Sequence, residues 1–430
     1  MNKNIVKKYK KEPESLYFVD SIFKPLESNA SIVSLLPTEN EAEQSTRVLS
    51  LNSEQLNMTN HSGTIREGWY VFYNEKDDQQ RFSYGNLSPY ARQQFRAFNA
   101  LQQQLIENSI DPEREEDTIL LKRLEKSNNL DVFSYHVNVG HGNCSIILIQ
   151  DGLFYQIWMV DCSIIDKSNW HNYSANLESC FEAIKLKLNK RHDESIRINR
   201  FFLTHTHYDH YNGLEYLVDN HYIDEETVCY VNLYYHCANK TYIRILDKLK
   251  QVGVKFVEPI NKNSHAAVRF LHPECRLYRS KATIVNAPSN YRIVNDPLNN
   301  SSIVIMITLG GQSIVFPGDL EQNGFDRMTQ SGTCSPFLFK SDYYVVSHHG
   351  SINGHPDRPC LNIPMPEPTP LFCVRNGLKN AILMGRDGAY NGIYSPHVVR
   401  FFSNLGSLIC TEKAPHFVEL EWRTGHVQCL

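Results

Sequence analysis

The chain has 430 residues, 41% of them hydrophobic and 21% charged, with a formal charge of −4. That balance fits a soluble, globular protein; it excludes a disordered polyelectrolyte and a domain-wide basic field, while a local basic groove for nucleic acid stays open. The length exceeds one ordinary core and suits one large domain of about 250–300 residues with a smaller region beside it.

The start is basic, with Lys3, Lys7, Lys8, Lys10 and Lys11 and no apolar stretch behind them, so it reads as a solvated tail and not as a signal peptide. No run approaches the roughly 18 apolar residues of a membrane span, and the expected compartment is the cytoplasm. Residues 31–62 are rich in Ser, Asn, Thr and Glu and lack aromatics, the composition of a long, weakly ordered loop. Trp69 to Tyr73 then reads as a strand. Ser88 and Pro89 read as an N-cap and first helical residue, opening a helix through Phe95, Phe98, Leu101 and Leu105. Residues 111–126 add a second, charged helix, and Ser127-Asn128-Asn129 marks a boundary. Residues 1–130 are thus expected to form an α+β accessory region whose apolar helix stripe buries against the remaining chain or a protein partner. With no cysteine and only His61 as histidine, this region is expected to supply no metal ligand.

From Asp131 the pattern becomes strand-rich, with strands at 132–139, 145–149 and 155–160 joined by Gly140-His141-Gly142-Asn143 and by a turn at Asp151-Gly152. A helix at 177–188 leads to a buried strand at 196–203. Beyond it, a helix from Leu214, a strand at 227–235, a helix at 241–252 and a strand at 254–257 alternate. A hairpin at 303–309 and 313–316 turns around Gly310-Gly311. Such alternation predicts two sheets with helices outside them over 131–430. The eleven cysteines are an odd number without a C-x-x-C, which reads as reduced core thiols and excludes a cysteine-type zinc site.

The strand at 196–203 empties into Thr204-His205-Thr206-His207-Tyr208-Asp209-His210, followed by Asn212-Gly213. His205 and His207 are two apart, so in an extended chain their rings point the same way, whereas the adjacent Asp209 and His210 diverge. That suits two neighbouring metals better than one. Asp319 ends the hairpin in Val315-Phe316-Pro317-Gly318-Asp319, placed either to bridge two ions or to cap a helix from Leu320. Tyr343-Tyr344-Val345-Val346 is another buried strand, emptying into His348-His349-Gly350-Ser351. Of the two histidines, one is expected to ligate metal and the other to face substrate; the preference falls on His348 as ligand and His349 as catalytic partner.

The His-x-His-x-Asp-His run resembles the signature of the metallo-β-lactamase fold hydrolases. With Asn138-Val139-Gly140-His141-Gly142-Asn143, Val160-Asp161-Cys162 and Asn299-Asn300-Ser301-Ser302, the Gly318-Asp319 and His348-His349-Gly350-Ser351 segments resemble, in order over 131–415, the metallo-β-lactamase-like domain of ComEC competence proteins. The resemblance implies an αββα sandwich, two divalent ions of Zn or Mn, and nuclease or phosphodiesterase activity. The transport role of that branch does not carry over, because its membrane helices have no counterpart here. The expected ligands are His205, His207, Asp209, His210, Asp319 and His348, with Asp209 also orienting the attacking water. Asp161 is expected either to hold a ligand histidine from behind or to serve as a buried structural cap, and His141, Asn300 and Ser301 to line the site or face substrate, although a histidine in a glycine-flanked turn is usually just solvated. Segment 299–302 replaces the third histidine that many two-metal members supply to the first ion; His221, His236 and His265 are other candidates, and His272 reads as structural. The leading expectation is a phosphodiesterase acting on nucleic acid or a nucleotide. The alternatives are a hydrolase of a small ester, lactone or thioester, and a partner-binding component of a multi-protein system, such as defence against foreign DNA, with a vestigial site.

Overall fold

Ile146, Ile147, Leu148 and Ile149 form an unbroken apolar run, and all four side chains are buried. A strand sends successive side chains to opposite faces, so such a run needs cover on both. Ile146 and Leu148 lie in one apolar cluster, Ile147 and Ile149 in another. The computed structural model describes residues 115–127, 129–231, 240–257, 259, 267–272, 298–321, 324–325, 341–354, 378–390 and 392–430, together with the backbone of strands at 15–23, 30–37, 47–52, 70–73, 82–83, 284–287 and 290–293. The chain divides into two compact units, Met1–Gln93 with Ile284–Val294, and Gln94–Thr283 with Asn295–Leu430.

In the first unit β1 (Ser15–Phe23), β2 (Ala30–Pro37), β3 (Arg47–Asn52), β4 (Tyr70–Tyr73) and β5 (Phe82–Ser83) form an antiparallel sheet in the order β3-β2-β1-β4-β5. The strand expected near 69–73 is present as β4. The loop expected over 31–62 is corrected, since β2 and β3 occupy much of it, with Val33 opposite Leu49 and Ser31 opposite Leu51. Averaging composition over that stretch hid two short strands, in which Ile32 and Val33 of one lie opposite Ser50 and Leu49 of the other. The helix expected from Ser88-Pro89 lies outside the described residues.

The second unit carries helix α1 (Glu115–Lys126), which lays Leu121 and Leu124 into the same cluster as Ile147. Its sequence lies before the boundary expected near residue 130, yet its apolar side belongs to this unit. Replacing the fully buried Leu124 by Ala is expected to destabilise the fold by about 2–4 kcal/mol, read from denaturant unfolding. Then come β6 (Asp131–Val137), β7 (Cys144–Asp151), β8 (Phe154–Cys162), a small ribbon of β9 (Ile165–Asp166) and β10 (His171–Asn172), and α2 (Ser174–Lys187). Next are β11 (Arg200–Phe202), the short helices α3 (Tyr208–Tyr211) and α4 (Leu214–Asp219), β12 (Val228–Tyr230), α5 (Lys240–Gln251) and β13 (Lys255–Val257). These strands order as β13-β12-β11-β8-β7-β6, continued by β22 (Phe417–Glu421) and β23 (Val427–Cys429). The second sheet runs β14 (Val268–His272), β17 (Val304–Leu309), β18 (Gln312–Phe316), β19 (Tyr343–Val345), β20 (Asn380–Leu383) and β21 (Ser407–Cys410). The hairpin of β15 (Ile284–Ala287) and β16 (Asn290–Ile293), between β14 and β17 in the chain, clusters with the first unit.

Three apolar layers show how the sheets stack. Trp158 and Phe202 of the first sheet share a core with Ile305, Ile314 and Tyr343 of the second. Phe201 and Met159 face outward onto Phe181 of α2, Leu217 of α4 and Leu246 of α5. Val315 and Tyr344 face outward onto Val398 and Phe402 of α6 (Pro396–Leu405), which Ser395 precedes and Pro396 opens. The unit is therefore the αββα sandwich that the resemblance implied. Each sheet joins antiparallel strands to a parallel set, β8-β11-β12-β13 in one and β18-β19-β20-β21 in the other. The carboxyl ends of parallel strands are where loops can gather polar groups without breaking the core. Cys144, Cys162, Cys180 and Cys229 are buried free thiols. Among the described residues no helix is long and apolar enough to cross a membrane.

Candidate metal centre

β11 ends at Phe202, and the chain beyond it is fastened before it reaches the first histidine. Leu203 N donates to Tyr230 O, and Ile303 N from the second sheet donates to Thr204 O at 2.7 Å. Asp161, at the end of β8 with a left-handed φ of 56°, accepts from both Thr204 N (2.7 Å) and Thr204 Oγ1 (2.8 Å). Behind the loop, Asn212 Oδ1 accepts from Ile164 N and Ile165 N. A Cβ on Gly213 would fall 2.4 Å from Cys162 Sγ, so the Asn-Gly pair of the motif is a close-approach requirement.

The loop so held presents two ligand groups, one of Asp209, His210, Asp319 and His349, the other of His205, His207 and Asp319. Asp319 belongs to both. In the second group His205 Nε2 lies 2.9 Å from His207 Nδ1 and 3.8 Å from Asp319 Oδ2, so the two rings converge as the extended spacing predicts. Asp209 and His210 do not diverge: Asp209 Oδ2 and His210 Nε2 lie 4.0 Å apart in one group. The expectation assumed extended chain, but α3 begins at Tyr208, and helical backbone turns both side chains inward.

The remaining ligand atoms come from the second sheet. Gly318 has φ +59°, and a Cβ there would lie 2.7 Å from Thr204 Cβ, so glycine lets the end of β18 reach the metal loop. Ser302 Oγ accepts from Asp319 N, and Asn300 Oδ1 accepts from Glu321 N and Gly324 N. Asn300 and Ser301, expected to line the site, are buried, and the Asn300 oxygen fixes the turn after Asp319. His348 and His349 both have φ of 48°, a left-handed pair that breaks strand geometry. Ser347 Oγ donates to Gly318 O and Leu320 O and pins this turn to the Asp319 turn. His349 Nε2 lies 3.1 Å from Asp209 Oδ2 and 3.5 Å from Asp319 Oδ2, with Nδ1 at 3.3 Å from Met384 O. His348 instead has Nε2 3.4 Å from Asn299 Nδ2 and Nδ1 3.8 Å from Glu321 Oε1, outside both groups. The geometry thus brings His349, and not the preferred His348, beside Asp209 and Asp319. Its cause is the left-handed pair, which local sequence does not announce.

His141 is likewise not a solvated turn residue. It is buried, its Nε2 is 3.3 Å from Asp209 Oδ2, and its ring lies between His349 and Tyr390 at centroid distances of 4.2 and 4.7 Å. Tyr390 and Met384 O were missed from sequence, because the turn that carries them has no pattern of its own. Of the other histidines considered, His221 is exposed in a turn, His272 ends β14, and His236 and His265 lie outside the described residues.

The donor set fits cations. His210 Nδ1 meets Asp161 Oδ2 at 2.8 Å, which leaves Nε2 facing Asp319 Oδ1 at 3.3 Å; both of these atoms are buried and neither makes a hydrogen bond. Ions bound at about 2.0–2.2 Å set neighbouring donors roughly 3–3.6 Å apart, the spacing seen between His210 and Asp319 and between His349 and both carboxylates. Charge agrees with this. Burial alone would lower His210, but Asp319, Asp161 and Asp209 hold it well above the ordinary histidine value. Burial works against ionised Asp209 and Asp319, yet the neighbouring histidines, His210 foremost, keep both well below the usual carboxylate range. His205 is lowered by burial and by His210, leaving a neutral ring with a free electron pair for a metal.

Among solved structures, the metallo-β-lactamase fold protein YhfI from Bacillus subtilis is similar to 65% of this chain and 96% of its own, at 14% identity and a TM-score of 0.34. No protein-family model and no curated protein sequence matches the chain.

Proposed function

We propose that the chain is a metal-dependent hydrolase of phosphodiesters, acting on nucleic acid or a nucleotide. The observation that carries this proposal is Asp319, one buried carboxylate common to two ligand groups. A shared carboxylate suits two neighbouring cations, and paired cations suit in-line displacement at phosphorus, where the attacking and leaving oxygens both gather charge. His205, His207 and Asp319 would hold one ion, and Asp209, His210, His349 and Asp319 the other. Bound there, Zn²⁺ or Mn²⁺ would polarise the phosphoryl group and acidify water.

The chain's own groups set the geometry. Asp161 and Met384 O engage the Nδ1 atoms of His210 and His349, which keeps each Nε2 turned inward. Asp209, with its side chain 24% exposed against 2% for Asp319, is the ligand open to substrate and is assigned the orientation of water. His349 moves from catalytic partner to ligand. The ordered motifs that resemble the ComEC branch support phosphodiesters over other bonds, and the first unit, Met1–Gln93 with Ile284–Val294, is assigned to positioning substrate or a protein partner.

The test uses the full chain with Mn²⁺, Zn²⁺ or Mg²⁺ against single- and double-stranded DNA, RNA and a chromogenic phosphodiester. Metal-dependent cleavage of at least one is expected. His207→Ala and Asp209→Asn are each expected to lose it while keeping the wild-type circular dichroism. Turnover confined to esters, lactones or thioesters would replace the substrate class; wild-type protein that takes up no metal would sink the proposal entirely.

A further inference from the structure

We propose that the turn at 140–143 is a clamp for Asp209, with His141 as its positioning residue; this rests on the two-metal reading of the site. Asp209 is the most open of the ligands and sits on a helix of four residues, too short to hold it in place alone. Support arrives from the turn between β6 and β7, on both backbone and side chain. Asn143 N donates to Asp209 O at 3.0 Å, and Asn143 O in turn accepts from Ser163 N at 2.9 Å. Gly142 has φ +147°, and a Cβ there would lie 2.8 Å from Asp209 O and 2.5 Å from Ser163 Oγ, so the turn presses directly on the metal loop. On the side chain, His141 Nε2 meets Asp209 Oδ2 at 3.3 Å, and the ring is kept there between His349 and Tyr390.

His141 is in neither ligand group, so it acts on an ion only through Asp209. Its N–H on Oδ2 removes rotational freedom from the carboxylate and opposes capture of that oxygen by water. Outer hydrogen bonds of this kind change metal affinity by about 10–100-fold.

The test is Zn²⁺ titration of the full chain against a chromogenic chelator, comparing wild type with His141→Leu and His141→Gln. Leu has similar bulk and no donor, whereas Gln places an N–H near the position of Nε2. His141→Leu is expected to weaken one of two ions by about 10–100-fold and to leave the other unchanged, and His141→Gln to stay within about threefold of wild type. On an Asp209→Asn background, His141→Leu is expected to add no further loss, because the two changes remove one interaction. Two ions bound with wild-type affinity by a folded His141→Leu protein would overturn the clamp and leave the metal reading intact. Wild-type protein without bound Zn²⁺ would remove the metal reading itself. Were His141→Leu not to fold, His141→Gln decides: affinity within threefold of wild type supports a hydrogen-bonding role, and a tenfold loss refutes it.

Discussion

Asp319→Ala is expected to lose both ions together and to reduce turnover by on the order of 10³-fold or more, since paired cations supply several kcal/mol of transition-state stabilisation. Its carboxylate belongs to both ligand groups, with Oδ1 3.3 Å from His210 Nε2 and Oδ2 3.5 Å from His349 Nε2 and 3.8 Å from His205 Nε2. His205→Ala is different, because it strikes only one group and should leave one ion bound. The fold should survive Asp319→Ala, since the backbone there is held by Ser302 Oγ on Asp319 N and by the close approach of Gly318 to Thr204. Elemental analysis gives the answer directly: one ion retained by Asp319→Ala and none lost by His205→Ala would show that the carboxylate is not shared.

Metal uptake is expected to release protons and to strengthen steeply with pH. Burial alone would lower His349, but Asp319 and Asp209 at its Nε2 raise it to about 9, and His210 is raised as well. Near neutrality both rings therefore carry a proton in the metal-free protein, and an ion must displace it to reach the nitrogen. Each displaced proton makes apparent affinity about tenfold tighter per pH unit below the raised pKa, so two protons give about 10⁴-fold between pH 6 and 8. Calorimetric titration in buffers of different ionisation enthalpy should count about two protons released; a count of zero would refute the charge assignment. The metal-free protein should respond to pH in the opposite sense. A histidine whose folded pKa of about 9 exceeds its unfolded value of about 6.5 contributes stability that is fully present below pH 6.5 and lost as pH rises through 9. Melting temperature should accordingly fall over that window without metal and rise with it.

What the sequence disclosed follows from the range of each interaction. That His205, His207, Asp209, His210 and Asp319 gather in one place was legible because a buried strand must end somewhere, and polar side chains after its last apolar residue are a local pattern. The sandwich was legible for the same reason, since runs such as 145–149 demand cover on both faces. Which of His348 and His349 turns towards Asp209 and Asp319 was not, because a left-handed pair redirects both rings and depends on Ser347 gripping Gly318 O and Leu320 O. Nor was the burial of His141, which depends on partners as distant in the chain as Asp209, His349 and Tyr390. In the first unit, β2 and β3 were masked by a polar average, since strand pairing is decided between segments and not within them.

The residues that would hold an ion at His210 and His349 come from both sheets of the sandwich: Asp209 and His210 follow β11, and Asp319 and His349 follow β18 and β19. Between the sheets the apolar core is non-directional, and each sheet also has an outer layer of its own. An ion bound at this place would therefore act as a rivet that makes the opening of one sheet conditional on the other. Chelation should divide a single cooperative exchange unit in two, with the amides of β18 and β19 exchanging hydrogen ahead of those in β7 and β8. A protease added after chelation would then find its first cleavable chain in the second sheet, and a cell short of metal would clear this protein faster than one that is replete.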